Sequence, residues 1–337
     1  MRPAVRLSAL AAVLGLALVP TVAATWGNSG HRMVGVLAMQ GLPAEIPAFL
    51  RSKQAIADMG ELAREPDRSK GSGRIHDHNR DPAHFVDIDD EGKVLGGPKF
   101  TDLAPTRADY EKTLQAAGVD SWKAGYLQYS TIDAYQQLVH DFGYWRVLVV
   151  AEKKAKGARK AWYKADRIRR EKLMFANLGN LAHYVGDGSQ PLHTSVHYNG
   201  WGDYPNPKGY TTDKIHGPFE EDFVAGAVTP AMAQAAMVPF ADCNCAINNR
   251  VLAYLLKTNT FVEPVYVMWG EGALRPGQAK GADFAAARLG AGASELRDLI
   301  VLAWRESATT KVGWPAINVA DVEAGKVDPY VSLVGDD

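Results

Sequence analysis

His183, Asp187 and His193 fall in one short run, Leu181-Ala-His183-Tyr-Val-Gly-Asp187-Gly-Ser-Gln-Pro191-Leu-His193. His183 and Asp187 are four residues apart, so on a helix they project from one face about a turn from each other. Pro191 cannot continue such a helix and turns the chain out of it, bringing His193 back beside the same face. Two imidazoles and a carboxylate converging there make a ligand set for a borderline divalent metal such as zinc.

Four further pieces carry compatible chemistry. Trp26-Gly-Asn-Ser-Gly-His31 holds one imidazole, and Ala57-Asp58 offers a carboxylate at the end of a short apolar segment. His84-Phe85-Val86-Asp87-Ile88-Asp89 places a histidine in an extended-looking stretch, and His216-Gly-Pro-Phe-Glu220 is a second histidine-carboxylate pair at helical spacing. Pro218 fits that pair only if a helix starts near His216, because proline is tolerated in a first turn. Singly these pieces say little. A lone His31 or His84 is more often a hydrogen-bonded, half-buried side chain than a ligand, and His216/Glu220 alone reads equally as a helix-surface pair. The joint pattern carries the weight, since five coincidences would otherwise be needed.

The elements that must position these residues are helical. Apolar residues recur at helical spacing in His31–Gln40, Thr131–Ala155, Arg170–Val185, Thr229–Lys257 and Ala282–Ser307. Gly/Pro-rich connections lie at Gly71–Asp81, Gly96–Pro105, Tyr198–Thr212 and Gly270–Gly281. With no internal repeat and no series of alternating strands, the pattern predicts one mainly α domain with long irregular loops over 26–337 and irregular structure after Trp314.

The first 25 residues read as a secretory signal peptide: Arg2 and Arg6, an apolar Leu7–Val19, then small residues to Thr25. Cleavage after Ala24 or after Thr25 fits, and the second choice would leave Trp26 with a free α-amino group able to bind metal. A secreted or periplasmic location follows. The net charge of −1 over 337 residues selects no partner. Lys153–Lys172 holds ten lysines and arginines against Asp166 and Glu171; such a run suits a polyanion or an anionic membrane surface, or simply a solvated face. Cys243 and Cys245 exclude a disulfide framework and stand either as two thiols or as a local disulfide.

The first motif, Ala57-Asp58, the His84 segment and His183-x-x-Gly186-Asp187-x-x-Gln190-Pro191-Leu192-His193 resemble the metal motifs of the zinc nuclease family typified by nucleases S-one and P-one. That family shares a superfamily with the bacterial zinc-dependent phospholipases C. The matched motifs run from Trp26 to Glu220. The resemblance implies a site of three zinc ions: one held by Asp58, His84, His183 and Asp187; a second by the Trp26 amino and carbonyl groups with His31, sharing Asp187; a third by His193, His216 and Glu220. It further implies phosphodiester hydrolysis by a zinc-activated water, with Asp58 and Asp187 as catalytic carboxylates, Phe85 as a platform for a base and Asp87 as its hydrogen-bond acceptor. Asp87, Asp89 and Gln190 become candidates for orienting ligands.

Two departures bear on the substrate. Glu220 stands where those nucleases have Asp and the phospholipases Glu, and Glu61 stands where the nucleases carry an arginine one turn after the Asp58 position, with Arg64 a turn further on. The nuclease-like intervals Trp26–His31 and His193–His216 favour an endonuclease acting on single-stranded DNA or RNA, with 3'-nucleotidase activity as an added possibility. The runner-up is a phospholipase C, which Glu220 and the aromatic loop Trp201–Tyr210 favour; a non-catalytic zinc-binding secreted protein is a third reading. No stable protein partner is implied.

Overall fold

A computed structural model describes residues 26–335, and the proposed signal segment lies outside them. The chain is mainly helical, as its periodicity predicts. Two long helices, Leu127–Lys154 and Gly157–Ser189, are joined by only two residues and pack along one another as a hairpin. Against them lie Gly27–Gln40 and Ala279–Glu306. Their shared core runs from Trp26 to Ala303 and includes Val34, Leu37, Leu178, Leu181, Leu289 and Leu296, all essentially inaccessible. A second cluster, Val86, Ile88, Val94, Phe100, Tyr110 and Leu127, packs the irregular 82–126 segment against the hairpin.

Glycines set two of the helix crossings. A Cβ on Gly35 would stand 3.0 Å from the Met59 carbonyl, and one on Gly179 only 2.8 Å from that of Leu62. The Lys53–Leu62 helix is thereby drawn close to both neighbours.

Two expectations need correction. Thr229–Lys257 is two helices, Pro230–Ala235 and Ile247–Asn259. The segment between them leaves helix around Pro239 and Asn244, the latter at φ 49°, and gives its backbone N–H groups to side chains of the Ala279–Glu306 helix: Val238 to Ser294 at 3.0 Å and Ala241 to Asp298 at 3.1 Å. Cys243 and Cys245, both in this segment, form a disulfide. After Trp314 the chain is more ordered than expected, with Lys311–Val312 paired antiparallel to Ile317–Asn318 and helices at Val319–Glu323 and Tyr330–Val334.

Candidate metal centre

His183 and Asp187 occupy the last turns of the Gly157–Ser189 helix, which stops one residue before Gln190 and Pro191. Pro191–Thr194 then makes a 3-10 turn that carries His193 back. His84 closes another 3-10 turn, Asp81–His84, and His31 sits inside Gly27–Gln40. A helix does begin at His216, and Pro218–Phe223 winds as a π-helix that holds Glu220. Such wide turns recur at functional sites because they re-aim one side chain within a helix.

Among the described residues, three groups have ligand atoms within 4.8 Å of one another: His31, His183 and Asp187; Asp67, His84 and His183; and His193, His216 and Glu220. Asp187 joins the first two. Its Oδ1 lies 3.4 Å from His31 Nε2, while its Oδ2 lies 3.0 Å from His84 Nδ1 and 3.2 Å from His183 Nε2. The His31 and His183 rings stack at 3.9 Å. No Cβ fits on Gly186, since it would stand 2.9 Å from His31 Nδ1.

Asp58 is not in the cluster. It is exposed on the Lys53–Leu62 helix and accepts a 2.6 Å hydrogen bond from Gln54. The carboxylate that reaches the histidines is Asp67, in the turn Glu65–Arg68, 3.8 Å from His183 and 3.9 Å from His84 and His31. The phase of the segment explains the exchange. Ala55, Met59 and Ala63 are buried at four-residue intervals, and the next step along that face is Asp67, whereas Asp58 lies off it. One turn after Asp67 stands Lys70, its side chain only 9% exposed and its Nζ 2.8 Å from Asp67 Oδ1. Arg64 instead joins a surface network with Glu61 and Asn28.

The histidine tautomers favour a cation. The Nδ1–H groups of His183, His193 and His216 donate to the carbonyls of Ala63, His84 and Tyr198 at 2.8, 2.6 and 2.9 Å. Each neutral ring therefore turns an Nε2 lone pair toward the cluster. The His193 and His216 Nε2 atoms lie 3.2 Å apart and 3.1 and 3.0 Å from Glu220 Oε1. Three acceptors so placed require positive charge among them, either a proton or a metal. Without metal the proton falls on His193: burial opposes its charge, but Asp187 and Glu220 lift it to about 9. Burial likewise opposes the Glu220 carboxylate, yet His216 and His193 hold it at about 2. Burial, followed by the Lys70 charge, pushes His84 down to about 4. His84 Nε2 and Glu220 Oε2 are buried without a hydrogen-bond partner among the described residues. This donor set fits divalent metal ions.

Around this cluster, Gln190 donates to Glu220 Oε1 and accepts from the Leu192 N–H, and so holds the Glu220 carboxylate in place. Asp89 does not; its carboxylate accepts the N–H groups of Glu91, Lys93 and Gly96 and shapes their turn. Trp26 is buried, its indole donating to Ser189 at 2.7 Å and its carbonyl accepting the Gly30 N–H at 3.1 Å. Phe85 is half-buried beside His84, and Asp87 is buried, which raises its carboxyl well above the usual range. Trp201 is packed inside, stacked on His197 at 3.7 Å. No protein-family model and no curated protein matches the chain.

Proposed function

We propose that the chain is a trinuclear-zinc phosphodiesterase that hydrolyses single-stranded nucleic acid, DNA or RNA, after export and signal cleavage. The observation that carries the reading is the three ligand groups around His31, Asp67, His84, His183, Asp187, His193, His216 and Glu220, with His183 common to two of them and Asp187 reaching across to His84 of the second. Zinc held there would acidify a water and offset charge on a phosphoryl group. The protein's own part is to hold the carboxylates ionised: Asp187 is kept well below the carboxylate range despite burial, by His183 and His193. Lys70 places a second positive charge beside Asp67, and this cation takes the place that an arginine fills in the resembled nucleases.

Substrate choice rests on Phe85 and Asp87. Phe85, half-buried and next to His84 in the chain, would be the ring that takes an unstacked base, with Asp87 as the partner of a base edge. In the aromatic loop that favours the phospholipase reading, Trp201 faces the core while Tyr204 stays exposed, so substrate assays decide between the two. Zinc-loaded protein beginning at Trp26, assayed on single-stranded DNA, RNA and phosphatidylcholine, tests the reading. Cleavage of nucleic acid with inert lipid is expected. Rapid lipid cleavage with inert nucleic acid would overturn it, and bound zinc without any turnover would favour a binding protein.

A further inference from the structure

One aromatic ring separates the metal centre from a cavity that the ligands do not use. Tyr184 packs edge-on against both His84 and His183, with ring centroids 5.8 and 5.7 Å away, and also lines a cavity of about 440 Å3 between the helix hairpin and the 79–83 segment. That volume lies in the range of small-ligand sites. The polar lining offers acceptors alongside donors such as Asn180 and Ser130. Asn177 and Gln137 each give one amide N–H to buried Asp141, at 2.6 and 3.3 Å, which fixes their amides while their carbonyl oxygens stay available to a ligand. Asp133 adds a carboxylate from the same helix as Gln137. The Arg107 guanidinium lies 3.5 Å over the Tyr126 ring, with its Nε tied to Glu111 at 2.8 Å, and so presents a flat cationic shelf at the cavity.

A ligand for this lining is planar, carries N–H donors on its edge, and has an anionic neighbour. We propose that the cavity is a second base subsite, seating an amino-bearing base (adenine, cytosine or guanine) of a nucleotide next to the one at the scissile phosphate. The base would lie on the Arg107 shelf and donate to Asp133 and Asn177. Thymine and uracil lack the exocyclic amine and would sit there poorly. The inference rests on the nuclease reading for its substrate but not for its test.

The probe is a free nucleoside, which has no phosphate to draw it to metal. Adenosine and thymidine are titrated into zinc-loaded protein beginning at Trp26, followed by NMR. Adenosine should bind about tenfold tighter than thymidine, the weight of one good base-edge pair. Asp133→Ala and Asn180→Trp, both changes at exposed lining positions, should weaken adenosine at least about fivefold with unchanged melting temperature. Adenosine binding that is absent, or equal in both variants and the parent, overturns the subsite, even where single-stranded DNA is cleaved. Asp133-dependent adenosine binding in a protein that cleaves no nucleic acid would keep the subsite while removing the nuclease reading.

Discussion

Asp67 and Asp58 separate what residue type can reveal from what geometry decides. His183, Asp187, His193, His216 and Glu220 stood out because their partners lie four residues away or across a proline, whereas His31 and His84 stood out only through the joint pattern. A single carboxylate has no such partner, and only the buried phase of Ala55, Met59 and Ala63 points on to Asp67. Asp67→Asn should therefore lower affinity for the metal it shares with His84 and His183 by at least about 100-fold, read by metal analysis after dialysis. Asp58→Asn should change neither metal content nor activity by more than about twofold; equal losses in both variants would return Asp58 to the site. At the same scale, His193 makes metal uptake pH-dependent. With its pKa at about 9, raised above the ordinary histidine value, it adds stability to the metal-free fold below about pH 6.5, and that stability is lost as pH rises through about 9. A metal ion entering the His193 group at pH 7 would have to displace this proton. Calorimetry in buffers of different ionisation enthalpy should show about one proton released at that group at pH 7, fading above pH 9; no change in release between pH 7 and 10 would refute the assignment.

Helices were legible wherever apolar residues kept their period over several turns, and the turn at Pro191 was legible from proline alone. The break between Ala235 and Ile247 was not, because Ser294 and Asp298, far along the chain, supply the backbone partners that make leaving the helix tolerable. The close approach of Gly179 to Leu62 was equally hidden, since its cause is a neighbour distant in sequence. It matters to the site, because Ala63, next to Leu62, holds the His183 ring. Gly179→Val should cost about 1–3 kcal/mol through overpacking and loosen that ring. A lower melting temperature together with weaker metal binding is expected in thermal scans with and without zinc. An unchanged melting temperature would mean that the crossing is not tight.

For the molecule as a whole, the basic run Lys153–Lys172 resolves in part into ordinary pairing, through its arginines rather than its lysines. Arg167 meets Glu152 and Glu171, Arg169 meets Asp166, and Arg170 meets buried Asp141. Asp166 and Glu171 are at helical spacing within the run, whereas Glu152 and Asp141 sit across the hairpin, where sequence spacing does not reach. The first described residue is of greater consequence. Trp26 is buried at the head of its helix and bonded to Ser189, two residues past Asp187. Protein that retains one additional residue before Trp26 should carry about one zinc ion fewer and lose most activity; full zinc content would show that the terminal amine is not a ligand.

His84 serves two groups at once, its ring facing Asp187 while its carbonyl grips the His193 ring. A backbone shift at this one residue is therefore felt on both sides, and stripping one ion should loosen the hold on its neighbours. Increasing chelator should then empty the protein over one narrow, cooperative interval, passing from fully loaded to bare with few partly loaded molecules between.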